Sequence, residues 1–139
     1  MRTSGRYAVP LVLLVTALLV VTGAGAHSQA ALDIRGNWSM PTVTSGGTVY
    51  PQVWVMAIEN RATGAWRGHI KGNAGSLVWG TVSGHTFTSH ARIGTYTSRG
   101  TATIVTTGAK WRLTHGTFAD SQGTTGTFTG LRLTKTPAG

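Results

Sequence analysis

The sequence contains no cysteine, so disulfides, thiol catalysis and thiolate metal sites are all excluded. Acids are nearly absent as well: Asp33, Glu59 and Asp120 are the only three. They are spread too far apart to suggest the paired carboxylates of acid/base hydrolysis. Proline is sparse, at four residues. Beyond the N-terminal segment no helical spacing of apolar residues occurs. The histidines His27, His69, His85, His90 and His115 contain no HExxH or comparable close pair. Composition therefore argues against an enzyme, a metal centre or a cofactor, and no catalytic, metal or cofactor residue is assigned. A His115, Asp120 and Ser121 grouping around one turn is the weak enzymatic alternative.

The N-terminus is unlike the rest. Arg2 and Arg6 precede an apolar run, Ala8 to Val21, and Ala24-Gly25-Ala26 has the small-x-small form of a cleavage site. This is the layout of a secretory signal peptide. The run is 14 residues, short of the roughly 20 that span a bilayer. The expected organisation is a signal peptide at 1–26, a tail at 27–33, a single β domain at 34–135 and a tail at 136–139. The expected location is outside the cytoplasm: extracellular, periplasmic or in the cell-wall space. Asn37-Trp38-Ser39 matches a glycosylation triplet but falls inside an expected strand.

Basic residues outnumber acidic ones twelve to three, for a formal charge of +9. Such an excess attracts anionic polymers. No block of like charges or basic helix occurs, so no dedicated nucleic-acid groove is expected.

The chain has 20 glycines and repeats Gly-Thr seven times, at Gly47, Gly80, Gly94, Gly100, Gly116, Gly123 and Gly126. Glycine allows the positive φ of tight hairpin turns, and the branched Cβ of threonine suits a pleated surface. Each Gly-Thr step thus marks a turn handing over to a strand. Ile34, Gly36, Trp38 and Met40 alternate with polar residues. So do Trp66, Gly68 and Ile70; Phe87, Ser89, Ala91 and Ile93; and Trp111 and Leu113. The runs 52–59, 77–82, 101–107 and 127–135 complete about eight short strands. In the last, the apolar phase slips between Phe128 and Leu131, which suggests a bulge near Gly130. Arg35, Arg67, Lys71, Arg92 and Arg112 all fall opposite the apolar phase. The expectation is an all-β, antiparallel up-and-down meander, closed as an eight-stranded barrel, with a β-sandwich as the alternative.

Five tryptophans lie beyond the leader. Trp38, Trp66, Trp79 and Trp111 read inward, and His115 shares the phase of Trp111 and Leu113. Trp54 sits in a run that is apolar on both parities. An eight-stranded barrel either fills its interior with side chains or holds one small ligand.

The first strand, "IRGNWSM", resembles that of small secreted barrels of the avidin and lipocalin kind, and the length, strand count and Trp usage are also similar to avidins. The resemblance is one of fold pattern along the meander. The polar biotin-binding loop of avidins has no counterpart in "SMPTVTSGG", so no binding residue carries over. Some secreted protease inhibitors share this kind of barrel and plug their enzyme with an N-terminal segment, a role that "HSQAALD" would fill by analogy. Two functional expectations follow. One is non-enzymatic binding of a small apolar or aromatic ligand, with Trp38, Trp66, Trp79 and Trp111 lining the cup and His115 at its mouth. The other is an interaction or inhibitor role, binding a protein or an anionic surface polymer through loops and basic surface.

Overall fold

The computed structural model of the chain describes residues 29–139, and the expected signal peptide lies outside them. Among the described residues there is no helix, hence none long and apolar enough to cross a membrane. The strands are β1 (Gly36–Ser39), β2 (Thr42–Thr44), β3 (Val49–Tyr50), β4 (Val53–Asn60), β5 (Ala65–Ile70), β6 (Ser76–Ser83), β7 (Thr86–Ile93), β8 (Tyr96–Thr107), β9 (Lys110–Asp120) and β10 (Thr125–Thr134). All pair antiparallel in the order β1-β4-β5-β6-β7-β8-β9-β10, and β10 returns to β1. The meander is a closed eight-stranded barrel.

The short β2 and β3 are continuations of barrel staves. β1 and β2 both lie against β10, with Trp38 opposite Arg132 and Thr42 opposite Phe128. Pro41 interrupts the ladder between them because it has no N–H to donate. Pro51 does the same between β3 and β4, and the Met40 N–H still donates to the Gln52 carbonyl at 2.8 Å across the gap.

Alternation sorts the two faces as expected for most strands. Arg35, Arg67, Lys71, Arg92 and Arg112 are exposed, while Trp38, Met56, Trp66, Val78, Phe87, Ile104 and Leu113 are at most 1 % exposed. The 52–59 ambiguity has a simple origin. Trp54 and Met56 point inward, whereas Val55 points outward and is covered. Its cross-strand partners are Asn37 and His69. The Asn37 side chain exchanges two hydrogen bonds with the Ala138 backbone, at 2.8 and 3.0 Å, and His69 Nε2 meets the Gly139 carbonyl. The C-terminal segment thus straps the outside of β1, β4 and β5. It also occupies the amide of the Asn37-Trp38-Ser39 triplet in the folded chain.

One end of the barrel is closed. Ile34 and Trp38 are fully buried there, and the Trp38 indole N–H donates to the Ile34 carbonyl at 2.8 Å. Residues 31–33, the last of the expected tail, lie against this end: Ala31 and Leu32 pack on the core, and the Ala31 N–H donates to the Arg61 carbonyl. Asp33 accepts a bidentate pair from Arg35, whose hydrogen bonds hold its carboxyl below the usual range. The chain turns into the barrel at Gly36, where φ is +136° and a Cβ would overlap the Thr134 carbonyl oxygen. Only glycine fits that approach.

The expected bulge exists, but its extra residue lies on β9. Thr101 and Thr103 of β8 oppose Thr117 and Thr114, and Phe128 and Gly130 of β10 oppose Gly116 and Leu113. The surplus is His115, in the left-handed region at φ 55°. Two placements change as a result. β10 keeps its phase, so Leu131 and Leu133 face solvent and Arg132 turns toward the closed end. Its guanidinium donates to the Asp33 carbonyl and lies 4.0 Å from the Trp111 ring centroid and 5.5 Å from that of Trp38. His115 is exposed on the outer wall beside Thr114, not at the mouth of the interior.

Candidate functional site

The open end carries the connections 45–48, 71–75, 94–95 and 121–124. Below it lies a cavity of about 470 Å³, within the ~300–1,000 Å³ usual for small-molecule sites. Its origin can be read strand by strand. Inward positions of β7 and β8 hold Ser89, Ala91, Ser98 and Gly100, none large enough to reach the axis. Trp54 on β4 faces β8 from across the barrel, four strands away in either direction. Phe118, Phe128, Met40 and Ile70 complete the apolar lining. The space is therefore a slot with a small-residue wall and an aromatic wall.

An aromatic stack supports Trp54 from beneath. Trp66 lies 6.3 Å from Trp54 and stacks on Phe87 at 5.2 Å and 16°. The indole N–H groups are spent locally: Trp54 donates to Gln52 Oε1 at 2.9 Å and Trp66 to the Thr88 carbonyl at 3.3 Å. Trp54 therefore offers the cavity its ring, which suits flat or apolar ligands.

Polar groups gather at the mouth. Asp120 Oδ1 accepts the backbone N–H groups of Gln122 and Thr124 at 2.9 and 2.8 Å, bracing the 121–124 turn. Its Oδ2 accepts the Tyr96 hydroxyl at 3.2 Å. Burial raises the Tyr96 phenol above its ordinary range, and the Asp120 charge and hydrogen bond add to the shift. Gln52 and Asn73 also face the mouth. Deeper in, Ser89 is 4 % exposed, lines the cavity, and its hydroxyl has no hydrogen-bond partner among the described residues.

The expected tryptophan cup is only partly assembled. Trp38 and Trp66 point inward but pack the closed half. Trp111 is half-buried under Arg132 at the closed end. Trp79 faces outward and stacks on His90 at 5.3 Å and 16°. In β6 the inward phase belongs to Ser76, Val78, Gly80 and Val82, which puts Leu77 and Trp79 outside. Trp54, whose parity the sequence left open, is the tryptophan that lines the cavity. His115, Asp120 and Ser121 are not brought together: His115 is on the outer wall and Asp120 faces the mouth. No three His, Asp or Glu side chains cluster among the described residues.

The outer wall has a second feature. Trp79, His90 and Arg99 are successive cross-strand partners on β6, β7 and β8. Beside them a shallow groove of about 370 Å³ is bordered by Thr88, Arg99, Thr101 and Thr117. Arg92 lies two residues from His90 on the same face.

No protein-family model matches the sequence, and no curated protein matches it. Among solved structures it is similar to a redesigned beta barrel, mFAP1, solved bound to DFHBI. The two share 18% identity with a TM-score of 0.54, over 76% of this chain and 100% of that one. Likeness at that identity is a likeness of fold. The resemblance to avidin and lipocalin barrels is met at the level of the closed eight-stranded barrel, with no match to either family.

Proposed function

We propose that this chain is an exported, non-enzymatic binding protein that holds a small apolar or aromatic ligand in the open half of its barrel. The observation that carries this reading is the cavity itself: about 470 Å³, reached through one end, with Trp54 across from the small residues of β7 and β8 and the rings of Phe118 and Phe128 also lining it. Apolar burial against those rings supplies affinity. The DFHBI complex of mFAP1 supports the reading by showing a barrel of like fold with a small molecule bound. The test is titration with N-phenyl-1-naphthylamine, an uncharged aromatic whose emission rises in apolar surroundings. Saturable binding is expected in the native protein, and Ala91→Leu, which grows a side chain into the slot, abolishes it. A native protein that shows no saturable binding overturns the proposal, as does a variant that binds unchanged.

A second reading rests on the outer wall. Arg92 and Arg99 make no ion pair among the described residues, and they flank the stacked Trp79 and His90. Guanidinium groups beside an outward-facing, partly buried indole suit an anionic polysaccharide, whose acidic groups would meet the arginines while its rings lie on the open part of the indole.

A further inference from the structure

We infer that the ligand is an uncharged planar aromatic whose inner end carries one hydroxyl or carbonyl, held by Ser89. The inference rests on the cavity reading above and names the chemistry that cavity selects. Three polar side chains at the mouth are engaged: Gln52 with Trp54 and Thr42, Tyr96 with Asp120, and Asp120 with two backbone N–H groups as well. Ser89 differs from all of them. It is 4 % exposed, its hydroxyl has no partner, and it stands on the small-residue wall opposite Trp54.

That hydroxyl faces the cavity, so a ligand that fills the slot and displaces solvent from it must itself supply a hydrogen bond or leave the hydroxyl orphaned. The neighbouring geometry keeps that hydroxyl accessible. Its cross-strand partner is Gly100, where a Cβ would come within 3.1 Å of Ser89 Oγ and 2.9 Å of the Phe128 ring. With glycine there, the ring of Phe128 lies close to the hydroxyl, so a flat molecule in the slot meets aromatic faces and one polar atom together. A serine hydroxyl both donates and accepts, so a phenol or a carbonyl satisfies it equally. Net charge at the inner end is disfavoured because it would be buried among Ser89, Ala91, Gly100 and the aromatic rings, and Arg99, the charged residue at that level, is exposed and pairs with His90 across the outer sheet face. The nearest carboxylate, Asp120, is at the mouth, and the Arg132 guanidinium is held at the closed end between Trp38 and Trp111.

The experiment is displacement of N-phenyl-1-naphthylamine by naphthalene and by 2-naphthol, which differ by one hydroxyl. Both are measured in the native protein and in Ser89→Ala. Ser89→Ala is expected to weaken 2-naphthol about tenfold and leave naphthalene within about twofold. The naphthalene arm also reports that the variant is folded. Equal effects on the two compounds, or none on either, overturn the inference while the cavity reading stands. Failure of the native protein to bind the probe or either compound overturns both.

Discussion

Among the described residues Arg132 is the one guanidinium that turns inward, and truncating it tests how the closed end is held. In the native barrel it donates to the Asp33 carbonyl and lies against two indoles, 4.0 and 5.5 Å from their centroids. A hydrogen bond from a charged donor contributes about 1.5–3 kcal/mol. Cation–π contacts contribute about 0.5–2 kcal/mol each, toward the upper end when desolvated. Against this stands the cost of burial, which pulls the guanidinium below its ordinary pKa, and a buried Nε with no partner. The net loss expected for Arg132→Ala is about 3 kcal/mol, a large share of the ~5–15 kcal/mol that holds most domains together. Arg132→Met keeps a stem between the rings and removes the orphaned Nε, so it should cost only ~1–2 kcal/mol. Urea unfolding followed by tryptophan emission measures both, read as a change in midpoint at constant slope. Arg132→Ala within ~0.5 kcal/mol of the native protein would refute the reasoning, and so would Arg132→Met proving the more damaging of the two.

Two further outcomes can be checked directly. Phenolate absorbance near 295 nm, followed as pH rises, should show Tyr96 ionising above the ordinary tyrosine range, and Asp120→Asn should bring that transition down. Because the folded pKa is the raised one, the stability linked to it is present below the ordinary phenol pKa and is lost as pH climbs through the folded value. On immobilised heparin, Arg92→Ala with Arg99→Ala should elute at clearly lower salt than the native protein. Elution no earlier than for the control pair Lys110→Ala with Arg112→Ala would sink the outer-wall reading.

Alternation made the barrel legible because a closed meander imposes one rule on every stave: odd and even positions part between core and water. Trp38 and Trp66 were placed correctly by that rule alone. It fails where something local resets or masks the phase. Leu77, Val78 and Trp79 are apolar in succession, so nothing in that run says which parity is inside. His90 across the sheet gives an outward indole a flat surface to lie on. The bulge at His115 needs a positive φ at a residue that is not glycine, which no pattern of hydrophobicity reveals. With that extra residue assigned to β10 instead of β9, Leu131 and Leu133 read as core and Arg132 as surface. The cavity was hidden for a different reason. It is made by side chains too small to fill it, and Ser89, Ala91, Ser98 and Gly100 become a wall only when β7 and β8 stand beside each other in register.

The division between the two halves of the barrel also decides what Ala91→Leu should do to stability. The closed half packs Trp38, Trp66, Phe87, Ile104 and Leu113 to near-complete burial. The open half leaves its small wall facing space. Ala91 is already 3 % exposed and lines that space, so the added carbons of leucine enter a gap instead of a packed core. Each buried methylene contributes about 0.8 kcal/mol, which for three carbons gives a ceiling of about 2.4 kcal/mol. Lost rotamer freedom takes back about 0.5–1 kcal/mol. The expected gain is therefore about 1.5 kcal/mol, a rise of roughly 6–12 °C in Tm for a domain of this size, together with the loss of probe binding. A binding site kept open at the expense of packing predicts that opposite pairing. Were Ala91→Leu instead to lower Tm, the slot would lack the room its volume implies, and the case for a ligand there would fall with it.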